Sequence, residues 1–554
     1  MRKLLWCFWL AIAVPVWAAQ PVHARHGMVV TAEPHATDAG LSVLESGGNA
    51  VDAAVAVGFA LAVTHPSAGN LGGGGFMLIR FADGRSTFID FRERAPEHAS
   101  RNMYLDASGK PTQDSVVGYR AAGVPGSVAG FEYASHKYGR KSWADVVTPA
   151  IDLAEKGFPV SYGSAKSLEH ATKLLARFPE SKRIFLRDGK PYEAGDLFVQ
   201  PDLARTLERI RREGAKDFYQ GETARLLVAD MASHGGLITA ADLKDYAVAE
   251  RQPLTGTYRG CQIVSAPPPS SGGIGILQML GVLEGSGYEK SGAGSAAELH
   301  FLAETMRRYF ADRAAFLGDP DFVANPLNKL LDKTYITRLR QSIDPEHATP
   351  SAQIHAGKPP GSESTQTTHF SIVDAGGNAV AVTYTLNGLY GDGVTVPGLG
   401  FLLNNEMDDF AAKPGEPNIY GLVQGEANAI QPRKRPLSSM TPTIVARNGK
   451  LELVLGTPGG PTIINTVLQV LVNVVDFGMN VQDAVDFPRI HHQWLPDQLI
   501  MERGFSPDTI ALLEARGHKI RIVNSMGEVA AIESHDGWLE GAADPRTEGA
   551  AKGY

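Results

Sequence analysis

The residues that decide the fold run from Gln366 to Thr385. After Gln366-Thr367, Thr368-His369-Phe370-Ser371-Ile372-Val373 alternates, Asp374-Ala375-Gly376-Gly377-Asn378 supplies a turn, and Ala379-Val380-Ala381-Val382-Thr383-Tyr384-Thr385 runs back. Two runs rich in β-branched and aromatic residues either side of a glycine-bearing turn predict a β-hairpin. The residues before it differ in kind. From Asp344 to Gln366 the chain carries Pro345, Pro350, Pro359 and Pro360, several Ser, Thr and Gly, and Ile354 as the single large apolar residue. That composition predicts an exposed, poorly packed linker over 344–366. The linker ends directly at a threonine heading a buried strand. A threonine hydroxyl is a weak nucleophile and needs a base. A free α-amine on the same residue, with a pKa of about 7.7–8.0, would serve if the chain were cut before Thr367. Threonine at a strand start is also ordinary β-propensity, so the junction alone leaves both readings open.

Upstream, Gly27-Met28-Val29-Val30 reads as a strand and Ala36 to Gly47 as a helix ended by Gly47-Gly48. A second apolar helix, Ala50 to Val63, leads through Asn70-Leu71-Gly72-Gly73-Gly74-Gly75 into the strand Phe76-Met77-Leu78-Ile79. Helical spacing recurs over 144–156, 202–213, 222–233 and 296–316. The last of these sets Leu299, Leu302, Met306 and Phe310 on one face, with Arg307, Arg308 and Arg313 mostly elsewhere, as a scaffold helix without chemistry. Downstream of the hairpin, Leu451 to Leu455 reads as a strand, Gly456-Thr457-Pro458-Gly459-Gly460 as a turn, and Thr462 to Val475 as an apolar helix.

At about 100–200 residues per domain, 554 residues predict roughly three to five units or one elaborate α/β body. A hydrophobic fraction of 43% with 20% charged residues is globular and excludes disordered and fibrous classes. The formal net charge is −8 and the longest basic block is Arg433-Lys434-Arg435, which speaks against a nucleic-acid surface. Arg2 and Lys3, an apolar run from Leu4 to Val14 and Val16-Trp17-Ala18-Ala19 have the anatomy of a cleaved signal over 1–18. The run falls short of the ~20 residues a membrane span needs. Its removal takes the formal charge from −8 to −10 and Cys7 with it, leaving Cys261 and no intrachain disulfide. The expected product is exported, with no membrane span.

Familiar chemical signatures are missing from the sequence. There is no Gly-x-Ser-x-Gly elbow, and the 72–75 glycines lack the Lys-Ser/Thr of a phosphate loop. Their expected role is close packing of a helix against a strand. His491-His492 are adjacent rather than i, i+4, and are expected to be structural. No metal or organic cofactor is implied.

Thr367-Thr368-His369-Phe370-Ser371, followed by Gly377-Asn378-Ala379-Val380-Ala381-Val382-Thr383-Tyr384-Thr385-Leu386-Asn387, closely resembles the γ-glutamyltranspeptidases, self-cleaving N-terminal-nucleophile hydrolases. The resemblance extends to Glu45-Ser46-Gly47-Gly48-Asn49-Ala50-Val51-Asp52, Asp90-Phe91-Arg92-Glu93-Arg94-Ala95-Pro96 and Pro267-Pro268-Pro269-Ser270-Ser271-Gly272-Gly273. Later come Leu403-Asn404-Asn405-Glu406-Met407-Asp408-Asp409-Phe410, Arg435-Pro436-Leu437-Ser438-Ser439-Met440 and Gly456-Thr457-Pro458-Gly459-Gly460.

The resemblance implies a four-layer αββα sandwich and cleavage between Gln366 and Thr367, giving a large chain 19–366 and a small chain 367–554 with a catalytic N-terminal threonine. It implies Thr367 as nucleophile toward γ-glutamyl compounds such as glutathione, Thr385 as its positioning partner, and Gly459 and Gly460 as oxyanion donors. Arg92, Ser438 and Ser439 would receive the donor's α-carboxylate, and Asp409, with Asn387 and Glu406, its α-ammonium. Tyr420, within Pro414 to Gly425, falls where some members have a lid. Water or an amino-acid or peptide amine would accept the acyl group, in a bacterial periplasm. Gly388-Leu389-Tyr390, and Glu rather than Gln at 406, depart from many bacterial members and leave the balance of hydrolysis and transfer open. A cephalosporin (glutaryl) acylase shares the implied fold, but its substrate has no α-ammonium to reward acids at 406 and 409. An exported binding protein for γ-glutamyl peptides would need neither Thr367 nor Thr385.

Overall fold

The computed structural model describes residues 20–354 and 367–554. The signal expected at 1–18 and the expected cleavage-site residue Gln366 lie outside them. Two seven-stranded sheets form the centre of the molecule. One runs in the order Ala550–Gly553, Met28–Thr31, Thr368–Val373, Ala379–Thr385, Gly74–Arg80, Ser86–Phe91 and Ala249–Arg251. The other runs Val22–Ala24, Trp538–Ala543, Ala530–His535, Lys450–Gly456, Thr443–Arg447, Cys261–Ser265 and Leu254–Tyr258. Every pairing within both is antiparallel. The helices Pro34–Glu45, Ala50–Thr64 and Trp143–Lys156 pack on the outer face of the first sheet, and Gly272–Leu283, Ala296–Phe316 and Thr462–Val475 on that of the second. This is the expected four-layer αββα sandwich, a single body rather than several units.

The predicted hairpin is the centre of its sheet. Its strands pair from Thr368↔Tyr384 to Val373↔Ala379. One flank pairs Ser371 with Val30, and the other pairs Ala379 with Arg80 through to Thr385 with Gly74. Strands that precede and follow position 366 therefore neighbour one another in both sheets, which ties the two parts of the chain together through backbone ladders. The turn is tied down as well. Asp374 Oδ2 accepts from the amide of Ala50 at 2.9 Å, just where the Asn49–Asp52 capping box opens the helix Ala50–Thr64.

His369 joins the sheets. Its ring meets Thr383 Oγ1 at 2.8 Å and Ser371 Oγ at 3.1 Å, and Ser371 Oγ donates to Ala530 O in the facing sheet at 3.0 Å. Burial pushes its pKa down to about 3, so the imidazole is neutral. Gly456 leaves room for the ring: a Cβ there would lie 2.3 Å from His369 Cε1.

Three expectations need correction. The 72–75 glycines pack against strand and loop backbone rather than a helix: a Cβ on Gly73 would meet Thr385 O at 2.0 Å, and one on Gly72 would meet Leu402 O at 2.2 Å. Residues 344–354, expected within a poorly packed linker, are held in place. Ser351 N donates to Asp497 Oδ2 at 3.0 Å, Ala348 N to Arg516 O at 2.7 Å, and Ile354 packs on the core. The helix Ala296–Phe316 buries its arginines along with its apolar face, with Arg307, Arg308 and Arg313 all under 5% exposed. His491 and His492 are fully buried, with pKa values pushed down by burial to about 3 and 4, and sit in hydrogen bonds with Asn465, Gln493 and the Trp494 amide.

Gly456→Ala should overpack the space between the sheets and lower stability by about 1–3 kcal/mol. Thermal unfolding of the purified protein checks it; an unchanged melting temperature would mean that the His369 ring gives way freely.

Candidate active site

Thr367 stands one residue before its strand, in line with the end of the hairpin that carries Thr385, and is 5% exposed. Thr367 Oγ1 donates to Thr385 Oγ1 over 3.4 Å, a long contact, and the Asn387 amide donates to Thr385 Oγ1 at 2.7 Å. Asn387 turns the chain out of the strand with φ +71°, a left-handed conformation that asparagine tolerates better than most residues. Its side-chain amide is fixed on Asn405 O at 2.9 Å.

Arg92 extends from the strand Ser86–Phe91 and is 1% exposed. Nη1 bonds Glu406, Nη2 lies 2.5 Å from Asp409 Oδ2, and Glu93 Oε2 is 3.6 Å from Nη1. The two groups expected to take opposite charges of a donor are thus paired with each other. Burial, opposed by the Arg92 charge, pushes the carboxyl of Glu93 up to about 7. Burial and the neighbouring carboxylates raise Glu406 well above the usual carboxylate range. Three acids facing one guanidinium cannot all ionise cheaply in a buried site.

Opposite this group lie Ser438 and Ser439, 2% and 7% exposed. The motif Pro267 to Gly273 brackets them. Ser438 N donates to Pro269 O at 2.8 Å, and Ser438 O accepts from the Ser271 amide at 2.8 Å and its Oγ at 2.7 Å. Ser438 Oγ accepts from Met440 N at 3.1 Å, which leaves its proton available to donate.

The third side is the turn after the strand Lys450–Gly456. Gly459 and Gly460 have φ +136° and +54°, conformations that favour glycine, and a Cβ on Gly459 would lie 2.3 Å from Thr462 Oγ1. Among the described residues neither glycine amide has an acceptor. The helix Thr462–Val475 that follows adds its N-terminal partial positive charge.

The segment 414–425 closes the top. Pro417 bridges Val423, and Asn418 Oδ1 accepts from the amides of Tyr420 (3.0 Å) and Leu422 (3.2 Å). Asn418 Nδ2 reaches Asp409 Oδ1 at 3.4 Å, and the Ile419 amide donates to Asp408 Oδ2 at 2.9 Å. Tyr420 is 3% exposed, and its hydroxyl donates to Asn387 O at 2.5 Å. Its ring lies where a Cβ on Gly460 would come within 3.1 Å.

One cavity is lined by Thr367, Thr385, Arg92, Asn387, Glu406, Asp409, Tyr420, Ser438, Ser439 and Gly460. Only Gly459, among the side chains and glycines expected at the site, is not in the lining; its amide belongs to the adjoining turn. The enclosed space is about 20 Å³, enough for a single water. Sequence reasoning missed Glu93, Ser271, Asn418 and Arg313. Glu93 and Ser271 lay inside quoted motifs without a role, Asn418 inside the lid segment. Arg313 is on a helix that the spacing marked as scaffold, and periodicity carries no signal for a charge turned inward from a distant helix.

The family model for gamma-glutamyltranspeptidase matches residues 36–554. A glutathione hydrolase proenzyme from Escherichia coli (strain K12) is 52% identical over 530 residues, covering 95% of this chain and 91% of its own. The cephalosporin acylase of Bacillus halodurans has a crystal structure similar over 99% of both chains, with a TM-score of 0.87 and 27% identity. That of Helicobacter pylori gamma-glutamyltranspeptidase, 46% identical, covers 62% of this chain and 97% of its own with a TM-score of 0.59.

The acids around Arg92 give a pH signature. Glu93 has its carboxyl raised from 4.5 to about 7. A raised acid binds more protons when folded, so its contribution to stability is present below about 4.5 and is lost as pH rises through about 7. Glu93→Gln, neutral throughout, should leave the melting temperature near the parent's at pH 4.5 and raise it relative to the parent at pH 8. Parallel pH profiles for the two proteins would contradict this.

Proposed function

The chain belongs to the γ-glutamyltranspeptidase family, and we propose that it is a proenzyme cut before Thr367 whose new N-terminal threonine transfers the γ-glutamyl group of glutathione and related amides to water, amino acids or peptides. The observation that carries this reading is the meeting in one cavity of a strand-end threonine, a buried arginine, three acids nearby and two serines.

Thr367 Oγ attacks the donor's γ-carbonyl, and its own α-amine takes the hydroxyl proton. The new Oγ–C bond gives a tetrahedral intermediate whose oxyanion meets the unengaged amides of Gly459 and Gly460. Breaking the C–N bond releases the amine half of the donor, which leaves with the proton. Water or an acceptor amine then attacks the ester and restores Thr367. Thr385, itself oriented by the Asn387 amide, keeps the threonine hydroxyl aimed at the carbonyl.

Donor entry exchanges ion pairs. The α-carboxylate takes over Arg92, assisted by Ser438 and Ser439, while the α-ammonium takes over Asp409 and Glu406, assisted by Asn387. Both halves of the Arg92–acid pair are thereby re-paired rather than stranded, which matters because an unpaired buried charge costs several kcal/mol. About 20 Å³ does not hold a γ-glutamyl group, so entry also moves Tyr420 and the 414–425 loop, which then screens the acyl-enzyme from water. Among the described residues no helix is long and apolar enough to cross a membrane. Export to the periplasm through the signal at 1–18 is part of this reading, and the ladders between strands on either side of position 366 would hold chains 19–366 and 367–554 together without a disulfide.

Thr367→Ala should stay one uncut chain by intact-mass measurement and show no turnover; a product still split at 366 would remove Thr367 from the nucleophile's role. Asp409→Asn should lower kcat/KM for a chromogenic γ-glutamyl anilide roughly 100-fold while changing glutaryl anilide hydrolysis little. A parent protein preferring the glutaryl substrate would instead mark an acylase.

A further inference from the structure

Arg313 lies on the helix Ala296–Phe316, is 1% exposed, and among the described residues has no carboxylate within ion-pair distance. An isolated buried guanidinium is costly, and three other buried arginines here are matched: Arg92 with Glu406 and Asp409, Arg308 with Glu304, Arg489 with Asp544; Arg80 instead donates to the backbone carbonyls of Phe81 and Gly449. What Arg313 does hold is a pair of serine hydroxyls. Nε donates to Ser271 Oγ at 2.9 Å, and Nη2 to Ser439 Oγ at 3.2 Å. Nη1 is buried with no acceptor among the described residues.

These contacts have a direction. A guanidinium only donates, so both serine oxygens are used as acceptors and both hydroxyl protons must point away from it. The Ser271 proton goes to Ser438 O at 2.7 Å, which fixes the backbone of the first serine of the pair. The Ser439 proton is left to point from the guanidinium toward the cavity that this residue lines. A donor bonded to a cation is also a stronger donor itself. One planar fork thus sets the backbone of Ser438 and the hydroxyl of Ser439, and Tyr309, one turn earlier, braces the same bracket through its hydroxyl on Ser271 O at 2.6 Å. The location of the uncompensated charge matters too. Arg92 is neutralised by its acids, so the positive potential that an incoming carboxylate meets on the serine side comes from Arg313.

We propose that Arg313 is a positioning residue for the donor's α-carboxylate, acting through Ser439 directly and through Ser271 on Ser438, without touching the donor. This rests on the reading above that Ser438 and Ser439 receive that carboxylate.

The test uses the purified, self-processed protein and two anilides: L-γ-glutamyl 4-nitroanilide and 4-aminobutyryl 4-nitroanilide, which keeps the amine and lacks the carboxylate. Arg313→Met should lower kcat/KM for the first about 10- to 100-fold, mostly through KM, the size expected for losing a charge-assisted hydrogen bond. For the second it should change less than about 2-fold. Arg313→Lys, which keeps the charge but cannot span both serines, should fall between parent and Met variant, and it carries the test if the Met variant fails to fold. Ser439→Ala should lose part of the same discrimination, and the Arg313/Ser439 double variant should lose no more than Arg313→Met alone, because both routes start at Arg313. Equal losses on both anilides, or parent-like discrimination in Arg313→Lys, overturn the proposal. Discrimination lost in Ser439→Ala but kept in the Arg313 variants overturns it alone, while discrimination kept in Ser439→Ala overturns the carboxylate reading on which it stands.

Discussion

The hairpin Thr368–Thr385 sits between two strands that belong to the first half of the chain, Met28–Thr31 and Gly74–Arg80, and is hydrogen-bonded to both. Nearly everything else follows from that insertion. It places Thr367 at the end of a central strand, where neighbours on both sides limit its movement. It brings Gly73 and Gly74 against Thr385 and Phe91, so that Arg92 leaves its strand beside the same end. Because the ladder is central, a backbone cut at one end of the hairpin would leave its pairings intact. Packing and sheet hydrogen bonds suffice to hold both parts together, and Cys261, buried and unpaired, has no share in it.

Around that strand end the charges are divided in space. Arg92 and its acids form one wall, the serine pair and the unmatched Arg313 a second, and the glycine turn with its unengaged amides a third. Each wall belongs to a different packed element, and each is braced by buried hydrogen bonds rather than by solvent-exposed ones. The site is electrostatically closed on the acid side and open on the serine side. Such a division suits a zwitterionic ligand, since it offers a positive entry point and keeps the acids neutralised until an ammonium replaces the guanidinium.

Much of this was legible in the residues. The hairpin, the helix Thr462–Val475 and the turn at Gly459-Gly460 show in local patterning, because alternation and glycine conformations are properties of a few neighbouring residues. The motif resemblance brought Arg92, Asn387, Glu406, Asp409, Ser438 and Ser439 into one list, and all of them line the cavity. What was misread involved contacts across long separations. The 72–75 glycines read as helix-on-strand packing, yet Gly72, Gly73 and Gly75 pack on backbone more than 300 positions away and Gly74 on Phe91. Residues 344–354 look like linker by composition, yet Asp497 and Arg516 hold them. The helix 296–316 shows an apolar face, and nothing in its period reveals that the other faces are buried too.

The sequence by itself determined the elements, the junction at Thr367 and the inventory of groups with acidic, basic or hydroxyl chemistry, since those depend on local propensity and side-chain type. Only the tertiary structure decided which charges neutralise one another. Arg92 meets Glu406 and Asp409, and Arg313 meets two serines and no acid, because partnerships at ångström range depend on how whole sheets and helices stack. A guanidinium has the same composition wherever it stands; its neighbours, and the water excluded around it, decide whether it closes a site or opens one.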